Sequence, residues 1–164
     1  MGEVIARKKI YNNIFEISIR ILISLNTIER KKLAIDELLI YDHLILNTFD
    51  VDGPASLHAP IPNRGVQLYS KKEIFQQSLA YLISKDLCIL NSDKKGILYS
   101  INSNGSALLL YLESEYFTRL CEKAKWVNKN FGQLNRSELN QFVRENITNW
   151  GTEFMAKDNY NEFV

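Results

Sequence analysis

The 164 residues, 46% of them hydrophobic, are enough to bury a core as one domain with an extension or as two small domains. Basic and acidic residues nearly balance, at 20 and 19, which excludes a global field that attracts nucleic acid or anionic membranes, so any basic patch must be local. Glu16 and Arg20 interrupt the most apolar run and the N-terminus does not read as a signal peptide, so a cytoplasmic protein without a membrane partner is expected.

Two helices are predicted in the first third of the chain. The first covers residues 14–26, with Asn13 as the N-cap and Glu16 at the third helical position. Its apolar side chains lie almost all the way round, so it is expected to be central or covered by a partner, with Glu16 and Arg20 paired on one side. The second helix covers residues 35–47.

A proline-rich connection follows at residues 48–69, here called the proline loop. It contains all three prolines of the chain, at positions 54, 60 and 62. Because proline fixes φ and restricts the residue before it, the loop is expected to be stiff. Long irregular loops usually have a function. We interpret this one as a docking surface, with a passive lid on the core as the alternative.

A third helix and a hairpin are predicted next. Ser70 and Glu73 have the spacing of a capping box, which predicts a helix over residues 70–85. Two short strands are predicted at residues 87–90 and 97–101. The six residues between them favour a turn. Three helices followed by a hairpin are the order of a winged helix, with the third helix in the recognition position.

The C-terminal part is predicted to be helical. One helix opens at residue 104 or 106 and runs to Phe131 with a break near Ser114. Another begins at Asn135, and the two are expected to pack as an antiparallel pair. The tail, residues 157–164, is typical of a frayed end or of a peptide that orders on a partner.

These elements predict an α+β, mainly helical fold with two parts. A winged-helix-like domain over residues 1–103 contains the proline loop, and residues 104–164 form a C-terminal helical extension.

Side chains capable of catalysis are few. His43 lies in an apolar helix, where a hydrogen-bonded core or boundary histidine is expected. His58 with Asp50 and Asp52 suggests a metal site as a minor alternative, since aspartates before Gly-Pro are also ordinary turn chemistry. Cys88 lacks a neighbouring base and is expected to be a buried thiol, as is Cys121. The sequence therefore predicts no catalytic residue, metal or cofactor.

A DNA-contacting face is the alternative that the winged-helix order suggests. Its candidate residues are Lys71, Lys72, Gln76, Gln77, Lys94 and Lys95. Nearby Glu73, Asp86 and Asp93 nearly cancel the lysines, and phosphate contacts normally dominate affinity, so weak DNA binding is expected. A winged-helix transcriptional regulator is the alternative function.

One motif carries a family resemblance. Residues 53–64 read Gly-Pro-x-Ser-Leu-His-x-Pro-x-Pro-Asn-Arg. With residues 82–87, 125–127 and 150–154, this motif resembles the middle component of bacterial ABC-three-component systems. That type includes the small middle subunit of Lamassu antiphage defence. The similarity extends from the first helix to Phe154.

The resemblance implies a non-catalytic adaptor with protein partners. Such a subunit would bridge an SMC-like ABC ATPase dimer and an effector, often a nuclease, and would meet DNA only within the complex. The expected partner-binding residues are Pro54, His58, Pro60, Pro62, Asn63 and Arg64. Asn63 and Arg64 have a second possible role as hydrogen-bonded braces of the loop, and Arg64→Ala is expected to weaken assembly at nearly unchanged stability if Arg64 is a contact. Trp126 and Trp150 are expected in the core rather than at an interface.

Overall fold

The computed structural model describes residues 13–152, so the predicted tail lies outside the described residues. These residues form six α-helices and one antiparallel two-stranded sheet. In chain order the elements are α1 (Ile14–Thr27), α2 (Ile35–Leu46), α3 (Lys72–Ser84), β1 (Cys88–Asp93), β2 (Gly96–Ile101), α4 (Ser103–Leu110), α5 (Glu115–Phe131) and α6 (Arg136–Asn146). The prediction of a mainly helical α+β fold is confirmed.

Helix α1 is the centre of the fold. The Asn13 side chain accepts a hydrogen bond from the Glu16 amide at 2.8 Å, which confirms the predicted N-cap. Every residue from Ile17 to Leu25 is buried, and α1 packs against α2, α3, α4 and α5. Its nearly all-apolar surface is therefore covered from within the chain. Within residues 13–152, no helix is long and apolar enough to cross a membrane.

One charged side chain of α1 joins it to α2. The Arg20 guanidinium donates from Nε to Asp42 Oδ1 at 2.6 Å and from Nη2 to Asp42 Oδ2 at 3.0 Å, and both residues are buried. The sequence predicted only a pairing of Arg20 with Glu16 on the same helix. It did not predict this contact with a second helix. A bidentate carboxylate supplies the partner that a buried guanidinium requires.

Helix α3 does not begin with the predicted capping box. A short 3-10 helix, Tyr69–Lys71, precedes it, and the Ser70 hydroxyl donates to the Gln67 carbonyl at 2.6 Å. Lys71, with φ −82° and ψ −1°, takes the N-cap position without a side-chain hydrogen bond. The Ser70 prediction is wrong because the 3-10 turn uses the serine to close the preceding loop.

The hairpin is longer than predicted and its turn is shorter. Pairing runs from Cys88 opposite Ile101 to Asp93 opposite Gly96, so only two residues connect the strands. Gly96 has a φ of +109°, a conformation that suits glycine. The predicted six-residue turn is wrong because polar strand residues continue the ladder. Leu33 and Tyr99 exchange two backbone hydrogen bonds of 3.0 and 2.8 Å, which attaches the chain before α2 to β2.

Two of the three C-terminal helices are capped where the sequence indicated, whereas α4 opens earlier than the predicted residue 104 or 106, because the Asn102 side chain caps it by accepting from the Gly105 amide at 2.9 Å. Ser114 caps α5 at the predicted break, and Asn135 with Glu138 forms the capping box of α6. Helix α5 packs mainly on α1 and α2, and α6 packs mainly on α2. The two helices meet near their connecting turn, where the Phe131 and Phe142 ring centroids are 5.1 Å apart. The expected antiparallel pairing of α5 with α6 does not include these contacts with the N-terminal helices, which outweigh the contacts between the two helices themselves. Both helices add side chains to one hydrophobic core. The domain boundary predicted at residue 103 stays a prediction.

Candidate partner-binding loop

The proline loop exposes apolar side chains around its motif. Pro54, Pro60 and Pro62 are exposed, and so is Asn63. Four larger hydrophobic residues of the loop are also exposed, namely Phe49 at 71%, Ile61 at 53%, Val66 at 68% and Tyr69 at 42%. These side chains offer apolar area for a partner to bury.

Hydrogen bonds within the chain hold the first half of the loop. The Thr48 hydroxyl donates to the Pro54 carbonyl at 2.7 Å, and the Lys123 ammonium on α5 donates to the Ala55 carbonyl at 2.6 Å. A Cβ atom on Gly53 would lie 2.6 Å from the Trp126 ring, so the backbone of the loop lies directly on this half-buried ring of α5. The loop is therefore packed on the helical core.

Arg64 holds the second half. Its side chain is buried, at 9% exposed, and donates from Nε to Asp50 Oδ2 at 2.6 Å and from Nη2 to Asp50 Oδ1. Its Nη1 donates to the Ile61 carbonyl at 3.3 Å. Of the two roles left open for Arg64, these contacts are those of a brace. The guanidinium ties the beginning of the loop to its middle.

His43 lies behind this ion pair. Its ring stacks on Trp150 with 4.5 Å between centroids, and its Nε2 lies 3.8 Å from Asp50 Oδ2. Burial is the main cause that lowers the pKa of His43 to about 4, so the ring is neutral at pH 7. The buried histidine and the core position of Trp150 were both predicted, and both are confirmed.

The backbone of the loop is also joined to the segment after α6. The Asn63 amide donates to the Gly151 carbonyl at 3.3 Å, and the Gly65 amide donates to the Trp150 carbonyl at 3.4 Å. Asn63 has a φ of +55°, in the left-handed region that asparagine tolerates better than most residues. The motif is therefore fixed at both ends while its prolines face outward.

His58 contacts a tyrosine rather than the aspartates of the metal site considered above. Its Nε2 lies 2.8 Å from the Tyr116 hydroxyl, and burial is the main cause that lowers its pKa. Asp50 is engaged by Arg64 instead. In the part of the chain that the structure describes, no group of three or more His, Cys, Asp or Glu side chains is placed to hold a metal ion.

The six candidate DNA-contacting residues fall into separate groups. Lys72, Gln76 and Gln77 are exposed on α3, whereas Lys71 is half-buried with its Nζ 3.6 Å from Asp42 Oδ2. Lys94 and Lys95 are exposed in the hairpin turn. Lys95 lines a cleft together with two arginines of α6. The sequence did not point to these arginines, because they are far from Lys95 along the chain and are not part of a run of charged residues.

Comparison with known proteins identifies the family. No curated protein and no solved structure gives a significant match to the chain. A family model described as "ABC-three component (ABC-3C) system Middle Component 2" matches residues 10–153, a range that includes the whole proline loop. The chain therefore belongs to the middle component 2 family of ABC-three-component systems.

Proposed function

We propose that this chain is a non-catalytic adaptor of an antiphage defence complex, bridging an SMC-like ABC ATPase dimer and an effector nuclease. Membership in a middle-component family makes it a component of such a system and implies partner components. The observation that carries the adaptor role is the proline loop. Its larger apolar side chains are exposed, while contacts within the chain hold the loop in place.

A rigid loop suits this role energetically. Association costs conformational entropy for every segment that becomes ordered, and a segment already ordered costs less. The contacts of Arg64 and Lys123 order the loop before any partner binds. Ile61 and Val66 then offer exposed apolar area for a partner to bury.

The environments of the reactive side chains support a non-catalytic role. His43 is stacked on Trp150 and kept neutral, and His58 contacts the Tyr116 hydroxyl. Burial raises the pKa of the Cys88 thiol to about 11, which keeps the nucleophilic thiolate scarce at pH 7.

Co-purification tests the adaptor role. The tagged chain is co-expressed with the proteins of the neighbouring reading frames, and Ile61→Asp and Val66→Asp are compared with Leu110→Asp. Leu110 is 83% exposed at the end of α4, so its variant introduces the same charge outside the loop. We expect the wild-type chain and Leu110→Asp to retain both partners and the loop variants to lose at least one. A wild-type chain that purifies alone would refute the proposal.

A second candidate is a winged-helix regulator that reads DNA. It is favoured by the order of α1, α2, α3 and the hairpin, and by Gln76 and Gln77, which are exposed on α3. It predicts a salt-sensitive shift of a palindromic duplex by the isolated chain. Loss of that shift in Gln76→Ala/Gln77→Ala would replace the adaptor proposal with this one.

A further inference from the structure

A polar cleft of about 600 Å³ lies between the hairpin turn and α6. Asp36, in the first turn of α2, lines it together with side chains from the other two elements. These side chains are Lys95 from the turn and Arg136, Ser137, Asn140, Gln141 and Arg144 from α6. The cleft lies outside the proline loop.

The cleft has an excess of positive charge. Three cationic side chains and one carboxylate line it, so the lining residues carry a net charge of +2; outside the lining, Asp93 accepts from the Lys95 amide at 2.7 Å and Glu145 accepts from Gln141 Nε2 at 3.0 Å. Asp36 lies within 3.0 Å of the Arg136 guanidinium and accepts from the Asn140 amide at 3.1 Å, so the acid also fixes the orientation of these two side chains. The charge of Lys95 and Arg144 remains for a ligand. In a chain with a net charge of +1, this is a local basic site.

The spacing on α6 suits a ligand with repeated negative charge. Arg136, Asn140 and Arg144 are four residues apart and therefore share one face of the helix. Eight residues of helix separate the two arginines by about 12 Å along the axis. One strand of a duplex carries about three to four phosphates over that length.

The composition of the lining indicates phosphate rather than a protein surface. All seven lining side chains are polar or charged. Protein interfaces centre on apolar and aromatic anchors, whereas nucleic-acid interfaces are more polar and much more positive. Guanidinium, ammonium, hydroxyl and amide groups are the donors that commonly contact phosphate oxygens. We infer that this cleft binds the phosphate backbone of a double-stranded nucleic acid without reading its sequence. The inference goes beyond the adaptor role and does not depend on it.

Fluorescence anisotropy of the purified full chain tests this inference. The probes are labelled DNA and RNA duplexes of one sequence, about 25 base pairs long, and two phosphate contacts, from Lys95 and Arg144, predict that raising the salt from about 50 to 150 mM weakens binding roughly sevenfold. We expect Lys95→Gln/Arg144→Gln to bind at least about 10-fold more weakly at the lower salt and to lose most of the salt effect. DNA and RNA arms separate the two sources of the same phosphate chemistry, and binding to either supports the inference.

The control removes the same charge elsewhere. Lys125→Gln/Lys129→Gln changes two exposed lysines of α5 that do not line the cleft, and it should bind like the wild-type chain. Circular dichroism checks folding, and Lys95→Gln alone, at the exposed turn, is measured if the double variant unfolds.

Two results would overturn the inference. One is equal binding by the cleft variant and the wild-type chain, or an equal loss in the α5 control. The other is no binding of either duplex by the wild-type chain; if the cleft variant then also loses a partner component in co-purification, the cleft belongs to an acidic protein surface. The adaptor role is judged separately, by co-purification of the Ile61→Asp variant.

Discussion

Removing the guanidinium of Arg64 should destabilise the protein strongly. In Arg64→Ala the Asp50 carboxylate, whose side chain is 5% exposed, loses its bidentate partner and stays buried. The Ile61 carbonyl loses a donor as well. The alanine therefore leaves an uncompensated buried charge within the proline loop, and the neutral ring of His43 is not an equivalent partner.

The size of the effect follows from the burial of both partners. Breaking a buried ion pair by removing one side typically costs about 3–5 kcal/mol. For a chain of this length, each kcal/mol lowers the melting temperature by about 2–4 °C, so a decrease of roughly 6–20 °C is expected. A surface contact that only awaited a partner would change stability by no more than about 0.5 kcal/mol.

Urea and thermal unfolding followed by circular dichroism measure this difference. Arg64→Lys keeps the charge but loses the planar fork, so it should fall between the wild-type chain and Arg64→Ala. Asp50→Asn combined with Arg64→Ala should cost less than the sum of the single changes, because the charge left unpaired is gone. A melting temperature for Arg64→Ala within about 2 °C of wild type would refute the brace.

Three further predictions concern His43 behind the loop, Gly65 within it and Cys88 in the hairpin. The pKa of His43 is about 4 in the folded protein and about 6.5 in the unfolded chain. Unfolding therefore takes up a proton between these two pH values, and the free energy of unfolding should fall by about 2 kcal/mol from about pH 7 to pH 5. Urea titrations should show much less of this fall in His43→Phe, which keeps an aromatic ring. Gly65→Ala should cost about 1–3 kcal/mol in the same assay, because its Cβ would lie 2.3 Å from the Ile147 carbonyl oxygen, whereas Val66→Ala at an exposed position should change little. The Cys88 thiol, with its pKa raised to about 11, should react with a thiol reagent far more slowly in the native protein than in urea.

Local sequence signals predicted most of the fold. The caps at Asn13, Ser114 and Asn135 were predictable because each depends on residues within one helical turn. Ser70 had the same spacing and failed, since its hydroxyl bonds backward to Gln67. The hairpin turn was misplaced for a related reason, because polar residues with turn preference were drawn into the strand ladder.

Contacts between distant parts of the chain were not predictable in the same way. The loop motif was visible, but whether Arg64 faces a partner or Asp50 depends on how the loop folds back on itself. The cleft combines Lys95 with Arg144, which no run of charge connects in the sequence. A nearly neutral composition concealed this local excess of positive charge.

An ion pair is a costly means of stabilising a loop. Replacing a buried pair with apolar side chains of similar size often leaves stability unchanged or improved, because both charges lose their hydration. The Arg64 guanidinium has fixed donor directions, so it sets the positions of Asp50 and the Ile61 carbonyl together. Apolar packing is less directional and sets such positions less well. The exposed face that carries Ile61 and Pro62 is thereby held in one arrangement before any partner arrives. For the proposed adaptor role, a loop ordered in advance reduces the entropy lost on assembly.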